Sequence, residues 1–145
     1  MRKSIVVVLT AAALSLPSTE ALAGAQSTRA ASPRKRVSTV TKSFTGSPGN
    51  AGRYGEVQIT IVIEKTATTI GKKTTVKRRM VAIRIPVYPN HTDRSIRISQ
   101  QALPILAQEA LHAQSAKVDI LSGATYTSQG FVGSLSDALT RARGW

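Results

Sequence analysis

Two runs of alternating side chains fix most of what this chain can become. Val57, Ile59, Ile61 and Ile63 alternate with Glu56, Gln58 and Thr60, and Val81, Ile83, Ile85 and Val87 alternate with Ala82 and Arg84. A period of two puts the apolar set on one face, which is the pattern of a half-buried strand. Between them lies Lys65 to Arg79, with Gly71-Lys72-Lys73 at its middle as the turn. An antiparallel hairpin is the simplest connection. Its tip and exposed face would carry Lys72, Lys73, Lys77, Arg78 and Arg79, which read as a solvated charge run.

The pattern then changes to a helical one. A helix is predicted from about Ser95 to Gln114, with Ile98, Ala102, Ile105, Leu106 and Ala110 on its apolar side. Pro104 interrupts it, because proline lacks an N–H and crowds the preceding turn. Either the helix kinks there, or a short turn precedes a helix whose first turn holds Pro104. Val118-Asp119-Ile120 reads as a short extended segment. A last helix is predicted from about Ser128 to Arg143, with Phe131, Leu135 and Ala142 on one stripe. The fold class is α+β: a small antiparallel sheet with an amphipathic helix, a Ser-Gly-Ala-Thr loop and a C-terminal helix.

The N-terminus has a different logic. Arg2 and Lys3 precede an apolar run from Ile5 to Leu16, followed by Pro17 and the small-residue pattern Ala21-Leu22-Ala23. That is the order of a secretory signal peptide, and the run is shorter than the roughly 20 residues of a spanning helix; an uncleaved membrane anchor is the alternative reading. The expected organisation is a signal peptide over 1–23, a flexible basic linker over 24–52 and a folded domain over 53–145. The linker reading rests on small, polar and basic residues, among them Arg34-Lys35-Arg36 and Ser47-Pro48-Gly49-Asn50.

Composition removes several kinds of chemistry. The 145 residues include no cysteine and two histidines. Disulfide scaffolds, thiolate metal sites and cysteine nucleophiles are excluded, and a structural zinc site is not expected. His91 and His112 stand alone and read as a loop and a helix-surface histidine. Aromatic residues are 4% of the chain, little material for stacking nucleic acid bases. The formal net charge is +13, and loss of Arg2, Lys3 and Glu20 with a leader would change it by only one. An exported basic chain is drawn to anionic surfaces such as lipid headgroups, and export argues against nucleic acid as the partner.

Chemistry concentrates in Asp119-Ile120-Leu121-Ser122-Gly123-Ala124-Thr125-Tyr126-Thr127-Ser128. Small residues there feed a helix N-terminus, whose first N–H groups favour an anion such as a phosphate. Gly123 and Ala124 let a ligand approach the backbone, and Ser122, Thr125, Thr127 and Ser128 supply hydroxyls. The spacing alone equally allows a loop in which Thr127 or Ser128 simply caps the helix.

The segment resembles the flavin-attachment motif Asp-x-x-Ser/Thr-Gly-Ala-Thr of the FMN-binding domain family. That family includes the extracytoplasmic flavoprotein subunits of sodium-translocating NADH:quinone reductase and of ferredoxin:NAD oxidoreductase complexes. The likeness to its small exported members runs through Tyr54 to Gln58, Tyr88-Pro89, Ile105 to Leu111, Gln114 to Asp119, Ser122 to Ser128 and Phe131 to Arg143. Two departures stand out: Lys65 to Arg84 is longer and more basic than the usual hairpin, and Ile120-Leu121 replaces a small residue after the Asp.

The resemblance implies FMN as cofactor. It also implies a flavin transferase that moves FMN from FAD onto the hydroxyl of Thr125 as a phosphoester. Asp119 then takes the motif's acidic position, in recognition by the transferase or in local hydrogen bonding. Ser122 and Thr127 become candidates for hydrogen bonds to the phosphate, Gly123 and Ala124 give access, and Tyr126 packs either on the flavin ring or as an ordinary tyrosine. The implied role is an electron carrier at the outer face of the membrane, with unidentified membrane-associated redox partners. The alternatives are a basic module that binds envelope polyanions without flavin, and a flavin-dependent reductase of a small extracellular acceptor.

Overall fold

The computed structural model describes residues 5–8 and 33–145. Its strands are β1 (Ile5–Val8), β2 (Lys35–Thr45), β3 (Gly49–Asn50), β4 (Glu56–Ile70) and β5 (Lys73–Val87). Two helices follow, α1 (Asp93–Ala113) and α2 (Thr125–Ala142). The sheet is antiparallel in the order β1-β5-β4-β2, with β3 also on β4, and the class is α+β as the sequence predicts. Within the expected leader, only Ile5–Val8 is described, running beside Ile85–Ala82 of β5; the rest of 1–23 lies outside the described residues.

The alternation sets which face is covered. Val57, Ile59, Ile61 and Ile63 of β4 are buried together with Met80, Ile83 and Ile85 of β5. Onto them pack Leu103, Leu106 and Leu111 from α1 and Phe131 and Leu135 from α2. Each such side chain contributes roughly 1.5–3 kcal/mol when withdrawn from water. The register slips once between Val62 and Ile63 and once between Gln58 and Thr60. The second slip falls beside Pro86, which has no N–H to offer the ladder. Pro86 lies inside β5, one residue before its end.

The hairpin is longer than its apolar core. β4 and β5 run on to Ile70 and Lys73, joined by the two residues Gly71 and Lys72, with Gly71 at φ +61°. The expected turn is where the sequence puts it.

Residues 35–50 correct the linker reading. Lys35–Thr45 pairs along its whole length with Thr60–Ile70, and Gly49-Asn50 pairs with Glu56-Val57. β2 and β3 are one edge strand interrupted at Ser47-Pro48, and the Gly46 N–H donates to the Ile59 carbonyl across the break at 2.9 Å. Most of these side chains are exposed, so little hydrophobic signal marks the strand; it is held by backbone pairing with β4.

α1 is continuous through Pro104, so a helix beginning near the proline is excluded. Its start is fixed upstream by a capping box: the Thr92 hydroxyl accepts from the Ser95 N–H, and Ser95 Oγ accepts from the Thr92 N–H. Buried Ala102 and Leu103 before the proline, and Leu106 and Ala107 after it, hold the helix on the core across the missing hydrogen bond. At the other end Gln114 sits in the left-handed region at φ 52°. Its side chain accepts from the Met80 N–H at 2.7 Å and donates to the Met80 carbonyl at 2.9 Å, tying α1 to β5 at the register slip. Val118-Asp119-Ile120 joins no strand.

Candidate functional site

α2 begins three residues earlier than the pattern predicts, at Thr125, and this shapes the site. Leu121 to Ala124 forms a turn closed by the Ala124 N–H on the Leu121 carbonyl at 3.0 Å. Its third residue, Gly123, has φ +79°, the backbone state a type II turn requires and other residues resist. A Cβ at Gly123 would meet nothing within 4 Å, so the glycine serves the turn and leaves the space above it open.

Neither hydroxyl expected to cap the helix does so. The N-cap residue is Ala124, and no side chain caps the end. Ser128 is buried; its Oγ accepts from the Leu121 N–H at 3.2 Å and donates to the Ala124 carbonyl at 3.0 Å. It pins the turn to the helix from beneath. The N–H groups that open α2, on Thr125 to Thr127, are thus left for an external acceptor, with the positive end of the helix dipole behind them.

The start of α1 faces the same space. An open-sided cleft of ≈ 180 Å³ is lined by Tyr54, Arg94, Ser95 and Ile98 on one side and by Gly123 to Thr127 on the other. It adjoins a second of ≈ 450 Å³, bordered by Arg94, Ile98, Gln101, Ile105, Leu121 and Ser122. Arg94 belongs to both. Two helix N-termini and one guanidinium converge there, with Ile98, Ile105 and Leu121 as the apolar floor. Ile105 is 53% exposed, a large apolar side chain left uncovered beside the turn.

The sequence-predicted residues divide as follows. Ser122, Gly123, Ala124, Thr125, Tyr126 and Thr127 all line the cleft. Thr125 is exposed at the helix start, while Thr127 is buried. Tyr126 is half exposed and stacks at a tilt on Tyr54, ring centroids 5.9 Å apart, over Gly52. Asp119 does not line the cleft; its N–H donates to Glu109 Oε1 at 3.0 Å and its own carboxylate is exposed. The sequence reading missed Arg94, Ile98, Gln101 and Ile105. Only the helical stripe containing Ile98 and Ile105 pointed to two of them, and it placed them in the core. Among the described residues no cluster of His, Asp or Glu is arranged to hold a metal.

A threonine hydroxyl at an uncapped helix start, facing a cationic side chain and an apolar wall, defines a binding domain for an anionic, partly apolar small molecule. The chain belongs to the FMN-binding domain family, whose model matches residues 52–140, and FMN, a phosphate joined to a flat apolar ring system, has this chemistry. No curated protein matches the sequence. The donor set fits: free helix N–H groups and Arg94 for the phosphate, and Tyr54, Tyr126, Ile98 and Ile105 for the ring.

Proposed function

We propose that this chain is an exported electron carrier whose FMN is esterified to Thr125. The observation that carries the attachment is the exposed Thr125 at an uncapped helix start, where Gly123 leaves the approach clear. In the loading step, the Thr125 Oγ attacks the FMN phosphorus of FAD. The Oγ–P bond forms, the phosphoanhydride bond to AMP breaks, AMP leaves, and the hydroxyl proton passes to a base of the transferase. A free hydroxyl is a poor nucleophile, so that activation comes from the transferase. FMN supplies the redox chemistry when bound. The protein fixes the phosphate at the start of α2, keeps positive charge from Arg94 near it, and offers an apolar wall to the ring.

A carrier suits the residues around the cleft better than an enzyme with its own substrate does. They are hydroxyls, phenols, a guanidinium and amide or apolar groups, with no carboxylate–imidazole pair. Export is supported by Arg2-Lys3, the apolar run and Ala21-Leu22-Ala23.

The test is intact mass and visible absorbance after coexpression with a flavin transferase, wild type beside Thr125→Val. A yellow protein heavier by one FMN ester, with the gain lost in the variant, is expected. A yellow wild type of unmodified mass would mean FMN held without a bond. A colourless one, with the transferase active on a control substrate, would overturn the assignment.

A further inference from the structure

The register of β2, β4 and β5 gathers two basic segments that are far apart in the sequence. Beyond Ile63 and Met80 the three strands run on past the helix-packed core as a three-stranded arm, whose base still borders the end of α2 at Arg78 and Arg79 and Trp145 at Lys65. It comprises Lys35–Thr41, Glu64–Ile70 and Lys73–Arg79. Ile61 and Ile63 point to the helices, so the opposite parity of β4, from Glu64 to Ile70 in steps of two, lies on the face away from them. Its partners are Thr41, Thr39, Val37 and Lys35 in β2 and Arg79, Lys77, Thr75 and Lys73 in β5. That face carries four basic side chains against Glu64. Lys72 adds another at the tip, and Arg36, Lys65 and Arg78 lie on the reverse.

The same face holds two uncovered apolar side chains near the tip. Val37 is 55% exposed and Ile70 48%, and Ile70 lies directly between Lys35 and Lys73 in the ladder. Lysines on bare strands also discourage edge pairing, which explains charge at the edges but not exposed Val and Ile among it. Basic residues ringing an apolar tip are the combination that suits the boundary between headgroups and acyl chains. The arm has no aromatic residue with which to stack bases.

We propose that this arm is a docking surface for an anionic lipid bilayer. Its lysines meet the headgroups, and Ile70 and Val37 enter the boundary beneath them. The cleft lies at the other end of β4, roughly 45 Å away at about 3.3 Å per residue, so docking leaves it open to redox partners. The proposal does not depend on flavin, and the apo chain tests it.

The experiment is sedimentation of the full chain with phosphatidylcholine vesicles, with and without phosphatidylglycerol, at low and high salt. Binding only to the anionic vesicles, weakened by salt, is expected. Lys73→Gln/Lys77→Gln should weaken it roughly 30-fold, about fivefold per lysine near an anionic surface. Ile70→Ser should lower it further in a manner salt does not mimic. Arg97→Gln/Lys117→Gln removes the same charge elsewhere and should leave binding within about twofold, which also cancels any contribution from the apolar N-terminal run. Equal binding to neutral vesicles would overturn the proposal. So would equal losses in the two double variants, or tighter binding to duplex DNA than to the anionic vesicles.

Discussion

Gly49 has no room for a side chain. A Cβ there would stand 1.9 Å from the Gly130 carbonyl oxygen, and one at Gly46 would stand 2.0 Å from that of Ser134. Both obstacles are backbone of α2, which cannot swing aside as a side chain can. Gly49→Ala should therefore cost about 1–3 kcal/mol or more, read as a drop in the urea midpoint. Gly133, on the same helix, has nothing within 4 Å, and Gly133→Ala should gain up to about 1 kcal/mol from helix propensity. Equal effects at the two positions would mean that α2 does not pack on β3 as described. Ser47-Pro48-Gly49-Asn50 reads as a linker because nothing in a sequence separates a glycine chosen for freedom from one chosen for close approach. Arg94 was illegible for a related reason: only the fold brings the start of α1 to the start of α2. Its role is measurable on the Thr125→Val background, where FMN can bind only without a bond. Arg94→Gln should raise the FMN dissociation constant about tenfold in a fluorescence titration, the loss of one charged hydrogen bond. Arg97→Gln, at an exposed position outside the cleft, should leave it unchanged.

At the scale of elements, α2 does two jobs. Its first turn makes the site, and its later turns clamp the broken edge strand. Ser134 Oγ accepts the buried Ile59 N–H at 2.9 Å, where the ladder slips, and Asp137 Oδ2 accepts the Ser47 N–H at 2.7 Å. Arg141 bonds to both Asp137 and Ser47. The Ser47 backbone N–H, then the Ser47 hydroxyl and the Arg141 charge, hold the Asp137 carboxyl below its ordinary range. A lowered folded-state value means a stabilising contribution present above the unfolded carboxylate pKa and lost as pH falls through the folded one. Denaturant midpoints followed from neutral pH into the acid range should fall more steeply for wild type than for Asp137→Asn. Parallel curves would show that the clamp carries no pH dependence. Both helices and the hairpin were legible because each has a clean period. The start of α2 was not, since Thr125 to Thr127 look like cap residues, whereas the Gly123 turn with Ser128 beneath it lets the helix begin at once. β2 was not, because an exposed strand stabilised by backbone pairing has no apolar alternation to read.

The whole molecule divides along β4. One half, from Glu56 to Ile63, supplies the buried face that α2 covers, and Tyr54 just before it reaches the cleft; the other, from Glu64 to Ile70, belongs to the arm. The two halves share a continuous backbone ladder but not a core. Bare strands without a packed face are marginal in water, so the arm should open locally at a free energy well below that of global unfolding. Hydrogen exchange resolves this. Amides of Thr66 to Ile70 and Thr74 to Val76 should exchange through local opening at low denaturant. Those of Ile59 to Ile63 should exchange only with the whole domain. Replacing residues 66–77 by a two-residue Asn-Gly turn should then leave the core amides and the flavin mass gain unchanged, because none of those residues belongs to the hydrophobic core or lines the cleft. If the core amides instead lost protection with the arm removed, the three strands would form one cooperative unit, and the arm would be part of the scaffold that holds Thr125 in place.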